Sequence, residues 1–214
     1  MCARFELNVS TEPMLARFGL GPSPASCPDW TGLARLPLDE VRPTDRVPVI
    51  GPRRVPVALA WGLVAAWSNR PLINARAETL AETPTFQGLV GNRCLVPATA
   101  FFEWSDDPAG PATGGTARRI RRRHRIARAD GALLAMAGLV DPATDRFVII
   151  TRPAHKQMAA VHPRMPVLLD PETEADWLDP ARPFAAVRPV LAGWGGALSI
   201  TPPPAPGPPP AKGA

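Results

Sequence analysis

No apolar run in this 214-residue chain is long enough to cross a bilayer as a helix. Its first residues also lack the charged-then-apolar layout of a secretory signal, so a cytoplasmic location is expected. Cysteine and histidine are scarce: Cys2, Cys27 and Cys94, with His124, His155 and His162. The cysteines are odd in number, none are spaced as CxxC, and the histidines fit no ligand pattern. Neither a disulfide framework nor a structural metal is expected, and no cofactor is called for. There is no internal repeat. Length and an apolar fraction of 45% are ordinary for one globular domain with a sizeable core.

Charge is unevenly placed. The net charge is +5, yet Arg118 to Arg128 alone (RRIRRRHRIAR) carries seven arginines, and without them the chain would stand at −2. Clustered arginine favours a polyanion such as nucleic acid. An arginine-rich solvated loop explains the run equally well, so it is read as an electrostatic supplement and not as a site.

The apolar pattern comes in short pieces. Ser10-Thr11 followed by EPMLARF predicts a short helix with Pro13 in its first turn. RVPVIG and VPVALAW predict strands whose prolines place them at edges or bulges. The stretch 61–86 reads as loop and then short helices. ALLAMAGLV and RFVIIT, separated by the turn residues DPATD, predict a hairpin. AHKQMAAV suggests a short helix, MPVLL a strand, and Asp170-Pro171-Glu172 a capped helix start. Residues 105–117 read as a flexible loop, and the proline-rich segment 201–214 as an extended, disordered tail. Many short strands with small helices indicate an α+β fold on a mostly antiparallel sheet or barrel, in one domain over 2–200.

The chemistry starts at the second residue. Methionine is normally trimmed before a small side chain, and trimming here would leave Cys2 with a free α-amine and a thiol on adjacent carbons. The amine has an unperturbed pKa of about 7.7–8.0, so part of it is nucleophilic near neutrality. The thiol is a strong nucleophile as thiolate. Such an aminothiol captures an aldehyde twice, as an imine and then by ring closure through sulfur. A frayed, inert terminus is the alternative that position alone favours.

Seven motifs then appear in order: MCxRF at the start, WGL followed by Trp67, NARAET, RCLVPAxxFFEW, AGL, ITRPA and HPRMPVLL. Together, over roughly residues 2 to 178, they resemble the SRAP family, the SOS-response-associated peptidase fold that includes abasic-site processing proteins. The resemblance implies that Cys2, freed of Met1, forms a thiazolidine with the ring-opened sugar aldehyde of an abasic site. A covalent protein–DNA crosslink in single-stranded DNA would shield the lesion. It also implies hydrolase or protease chemistry that removes residues ahead of the cysteine, with lyase-type cysteine chemistry. A monomer, associated with the nucleoid during DNA damage and with no membrane, is expected.

By the same resemblance, Asn74 orients the N-terminal residue, and Glu103 and His162 move protons. From the residues themselves, Asn74 would serve equally as a helix cap. Glu103 lies in an aromatic run where a carboxylate must be paired or have a raised pKa. His162 offers an imidazole, whose unperturbed pKa is about 6.5. Arg4, Arg76 and Arg164 match arginines that would bind phosphate, Thr151 a hydroxyl that would donate to one, and Trp67 an aromatic that would stack on a base. Trp61 and Trp104 are expected to pack. Three departures are visible: Ala3 for the usual Gly, Ala65-Ala66 in place of an aromatic and proline, and Phe102 without a tyrosine hydroxyl. Two rival readings remain, a cysteine N-terminal-nucleophile amidase and a non-catalytic nucleic-acid-binding module built on 118–128.

Overall fold

The computed structural model describes residues 2–20, 35–107 and 120–202. Cys27, most of the loop expected over 105–117, and the tail beyond Pro202 lie outside them. In chain order, β1 (Arg4–Leu7) and α1 (Thr11–Phe18) lead to β2 (Leu38–Val41), β3 (Arg46–Ile50) and β4 (Pro56–Trp61). Then come β5 (Leu63–Ala65), β6 (Ser68–Leu72), β7 (Asn74–Arg76) and α2 (Pro84–Gln87). The longer strands follow: β8 (Arg93–Ala98), β9 (Ala100–Asp107), β10 (Ile120–Arg128), β11 (Leu134–Asp141) and β12 (Arg146–Pro153). α3 (Lys156–Ala159), β13 (Arg164–Pro166), α4 (Pro171–Leu178), α5 (Phe184–Val187) and β14 (Leu198–Thr201) complete the chain.

The strands form an open five-stranded sheet, β14-β10-β9-β1-β2, and a seven-stranded sheet that closes on itself, because β11 pairs with both β8 and β12. This is the α+β, mostly antiparallel architecture expected. In the closed sheet, alternate residues enter different cores. Phe147 and Ile149 of β12 join Cys2, Phe5, Trp61 and Phe101. Val148 and Ile150 join Met14, Phe18 and Trp177. A strand buried on both faces reads as an unbroken apolar run, which is why RFVIIT and ALLAMAGLV lack alternation. Trp61 is wholly buried, meets Phe5 edge-on at 5.2 Å and donates its indole N–H to Ile73 O at 2.9 Å. A fully buried side chain of this kind contributes about 1.5–3 kcal/mol or more.

Local expectations are met with three corrections. The hairpin of β11 and β12, α1, α3 and α4 stand where the sequence puts them. The stretch after Trp61 is not a loop but the β5–β6 hairpin followed by β7; Pro71 and short polar residues hide it. Gly62 makes its entry possible: its φ is +110°, and a Cβ there would lie 2.7 Å from Pro71. Strand β3 lies between β4 and β8, yet it meets β8 only at Ile50 opposite Leu95, so Pro48 sits where no second ladder needs its missing N–H. Thr201, assigned to the tail, is the last residue of β14 and pairs with Arg125.

Candidate active site

Two parts of the fold meet at Cys2. From the open sheet come β1 and β9, where Arg4 pairs with Phe102 and Phe5 with Phe101. From the closed sheet come β7, parallel to β12 with Asn74 beside Ile149, and β13, antiparallel to β12. Cys2 is fully buried among Phe5, Trp61, Phe101 and Phe147. Its Sγ donates to Arg4 O at 3.4 Å, and Asn74 Nδ2 donates to Cys2 O at 2.8 Å. Asn74 therefore holds the N-terminal residue from a strand and caps no helix. Its Oδ1 is buried without a hydrogen-bond partner among the described residues.

Glu103 is 2% exposed. Burial pushes its carboxyl up, against the opposing pull of the positive chain terminus and of His162. The same carboxylate acts on Cys2: burial first, and then the Glu103 charge, push the thiol up from 9.0 to about 12. His162 Nδ1 lies 3.9 Å from Glu103 Oε1. It accepts the Arg164 amide N–H at 3.0 Å and stands 3.0 Å from Arg164 O. The amide suits an unprotonated Nδ1; the carbonyl and Glu103 suit an Nδ1–H. Cys2, Asn74, Glu103 and His162, named from separate motifs, thus form one cluster. It combines a buried thiol, an amide held on the Cys2 carbonyl, a buried carboxylate and an imidazole.

The residues expected to meet DNA are less uniform. Arg76 is exposed at the end of β7, and Trp67, at the tip of the β5–β6 hairpin, is 72% exposed. Val64, 65% exposed on the same hairpin, extends this apolar tip. Arg4 donates to Ala3 O at 2.9 Å and lies 3.9 Å from Glu40. Arg164 is bidentate on Glu78 and also donates to Thr151 O at 2.7 Å and Oγ1 at 3.1 Å. Thr151 is wholly buried, and its hydroxyl donates to Ala75 O at 3.3 Å. Its side chain meets the Arg164 guanidinium, another member of this set. Ala3 is not among the residues with positive φ, so replacing the usual glycine strains nothing there. Trp61 packs as expected, whereas Trp104 is half-exposed with the Arg121 guanidinium 5.7 Å from its ring centre.

Two carboxylates escaped the sequence reading. Glu78 holds Arg164 from within the NARAET motif, and Arg164 keeps its carboxyl below the usual range. Glu40, in an unpatterned proline-rich stretch, ties Arg4, Arg42 and Arg123. The only signal for Glu78 was its charge inside a motif otherwise read for Asn74 and Arg76. Among the described residues no cluster of His, Cys, Asp and Glu forms a metal site.

The SOS response associated peptidase (SRAP) family matches residues 1–201. The abasic site processing protein YoqW of Bacillus subtilis is 36% identical over 137 residues, 57% of this chain and 56% of that one. YedK of Escherichia coli is 30% identical over 126 residues, covering 55% of this chain and 52% of its own. HMCES of Xenopus tropicalis is 30% identical over 152 residues, covering 59% and 45%. The match thus spans about half the length of these relatives. Among solved structures, a phage-related protein of Bordetella bronchiseptica superposes with a TM-score of 0.73 at 26% identity, over 94% of this chain and 93% of that one.

Proposed function

The chain belongs to the SRAP family, and from that premise we propose that it traps abasic sites in single-stranded DNA through Cys2, once Met1 is removed. The observation that carries this is the cluster around Cys2: the Asn74 amide on its carbonyl at 2.8 Å, the Glu103 charge on its thiol, and His162 3.9 Å from Glu103. The names of YoqW, YedK and HMCES as abasic site processing proteins support the same substrate.

The chemistry runs in two steps. The Cys2 α-amine adds to the aldehyde carbon, and the carbonyl oxygen leaves as water after two protons reach it, giving an imine. The thiol sulfur then adds to the imine carbon while its proton passes to nitrogen, closing a five-membered thiazolidine. Aldehyde and aminothiol yield the ring and one water, with no oxidant or reductant. A thiol raised to about 12 holds little thiolate near neutrality, so its proton needs an acceptor at the moment of attack. Glu103, displaced upward by burial, is suited to take it and to return it. His162 is suited to deliver a proton when the ring reopens. The buried Oδ1 of Asn74 is an acceptor suited to the amine freed by Met1 removal.

Outside the cluster, exposed Arg76 supplies charge and Trp67 a stacking face for a base. A flipped aldehyde and a stacked base both require an unpaired strand. Arg164 joins them only if phosphate displaces Glu78, and Arg4 only in competition with Glu40. The test is intact mass of the purified protein, alone and after incubation with an abasic oligonucleotide. The expected result is loss of Met1 and a mass increase equal to the oligonucleotide minus one water, absent in Cys2→Ser after isolation without reductant. An undiminished, stable adduct in Cys2→Ser would sink the thiazolidine reading.

A further inference from the structure

The arginine run has a specific place in the fold. Along β10, Arg125 pairs with Phe102 and Arg123 with Trp104, and Phe102 pairs in turn with Arg4 of β1. Residues directly opposite one another share a face. The other face carries Phe5, Phe101 and Ile126, all buried in the core that holds Cys2. Arg4, Phe102, Trp104, Arg121, Arg123 and Arg125 therefore stand together on the outer face of the open sheet. That face begins two residues from the nucleophile.

Its side chains are already arranged around an anion. Glu40 takes Arg42 at 2.7 Å, Arg123 at 2.9 Å and Arg4 at 3.9 Å, so guanidiniums from three places in the chain converge on one carboxylate. They hold its carboxyl below the usual range, the Arg42 hydrogen bond foremost. The Arg123 guanidinium is stacked 3.7 Å over Phe102, and its Nε has no hydrogen-bond partner among the described residues. Arg121 lies over Trp104 and Arg125 pairs with Glu6 at 2.6 Å. Among the described residues, three carboxylates, Glu6, Glu40 and Asp106, stand against these five guanidiniums, a net positive count. Alternate residues along a strand lie roughly 6.8 Å apart, on the scale of one nucleotide step in an extended strand.

We propose that this outer face is a track for the single-stranded DNA that flanks the lesion, with Arg121 and Arg123 taking successive phosphates and Glu40 holding the phosphate position until the strand arrives. The occupant is fixed by charge complementarity and by continuity with Arg4 at the Cys2 site. The inference rests on the proposed abasic-site reading for its substrate, but its test does not require a covalent adduct.

The test compares two undamaged single strands, one just long enough to cover the Cys2 site and one extended by about 4 nucleotides on either side, which keeps the total within a site size of about 4–16. Binding is measured across salt concentration for wild type, Arg121→Ala/Arg123→Ala, Arg121→Lys/Arg123→Lys and Glu40→Gln. Losing two phosphate contacts should flatten the salt slope on the long strand by about 1.4, from about 0.7 per contact, and weaken binding on the order of tenfold near 0.1 M. The lysine pair should keep the slope, because it keeps the charge, and Glu40→Gln should bind the long strand more tightly. A wild-type slope in the alanine pair overturns the proposal, as does an equal loss on both strands. If the wild type forms no adduct with abasic DNA, the trapping reading fails while the salt slopes still report on this face.

Discussion

Asn74 donates its side-chain amide to the backbone carbonyl of Cys2 at 2.8 Å, joining a three-residue strand of the closed sheet to the start of the open one. Because β7 lies parallel to β12, with Asn74 beside Ile149, the amide is fixed by the sheet and not by a mobile loop. In the proposed reaction this bond would orient the residue whose amine and thiol meet the same carbon. Asn74→Ala leaves the carbonyl without its donor, at a cost of about 1–3 kcal/mol if it stays buried. Adduct formation should slow by tenfold or more, while Asn74→Asp, which cannot donate, should be no better. Single-turnover crosslinking at saturating abasic DNA is the measurement, and wild-type rates in both variants would remove Asn74 from the site.

The exposed tip of the β5–β6 hairpin gives a different kind of prediction. Trp67 is 72% exposed, so its removal costs the fold almost nothing. If a base stacks on the indole, Trp67→Ala should weaken binding of single-stranded DNA by about 1–3 kcal/mol, five-fold or more. Melting temperature should stay at the wild-type value and the rate at saturating DNA should hold. Unchanged affinity would assign the exposed indole to something other than DNA.

The site was more legible in the sequence than its surroundings. Cys2, Asn74, Glu103 and His162 each lie in a short motif, and β1, β7, β9 and β13 bring those motifs to one junction. The surroundings of Thr151 were not legible. RFVIIT is buried on both faces, so no alternation tells which way its last residue points, and the hydroxyl turns to Arg164 and Ala75. The β5–β6 hairpin was missed because Pro71 and exposed polar residues erase strand periodicity. Glu40 was invisible for another reason: besides Arg42, two residues on, its arginine partners Arg4 of β1 and Arg123 of β10 are distant in sequence, and only the sheet brings them to it.

His162 is predicted to separate formation of the proposed adduct from its reversal. Its Nδ1 meets an amide donor and a carbonyl acceptor at the same 3.0 Å, so the ring is held in either protonation state. Ring opening needs a proton on the departing sulfur, and the imidazole is a side chain able to deliver one. His162→Ala should therefore form the adduct but release it slowly, by a factor of about 10²–10⁴ if the ring is the acid. A preformed crosslink chased with excess competing abasic DNA reads this directly. Release at the wild-type rate would leave His162 a structural partner of Arg164.

Glu103 is predicted to move two observables in opposite directions. Its charge stands second to burial among the causes that push the Cys2 thiol from 9.0 to about 12. Glu103→Gln keeps shape and removes that charge, so the thiol pKa should fall, though burial keeps it above its ordinary value. Alkylation of Cys2 at a fixed alkaline pH should then become faster. The same variant cannot accept or return a proton, so adduct formation near neutral pH should slow by about 10²–10⁴. Stability follows the thiol too. A folded pKa above the unfolded one stabilises fully below about pH 9 and is lost as pH rises towards 12, at about 1.4 kcal/mol per unit. With a lower folded pKa, Glu103→Gln should lose less stability between pH 9 and 12 than wild type. Alkylation rate, crosslinking rate and melting across that range are measured on the same two proteins. A purely structural carboxylate would depress crosslinking and stability together, and that pattern would overturn the assignment of Glu103 as the proton carrier.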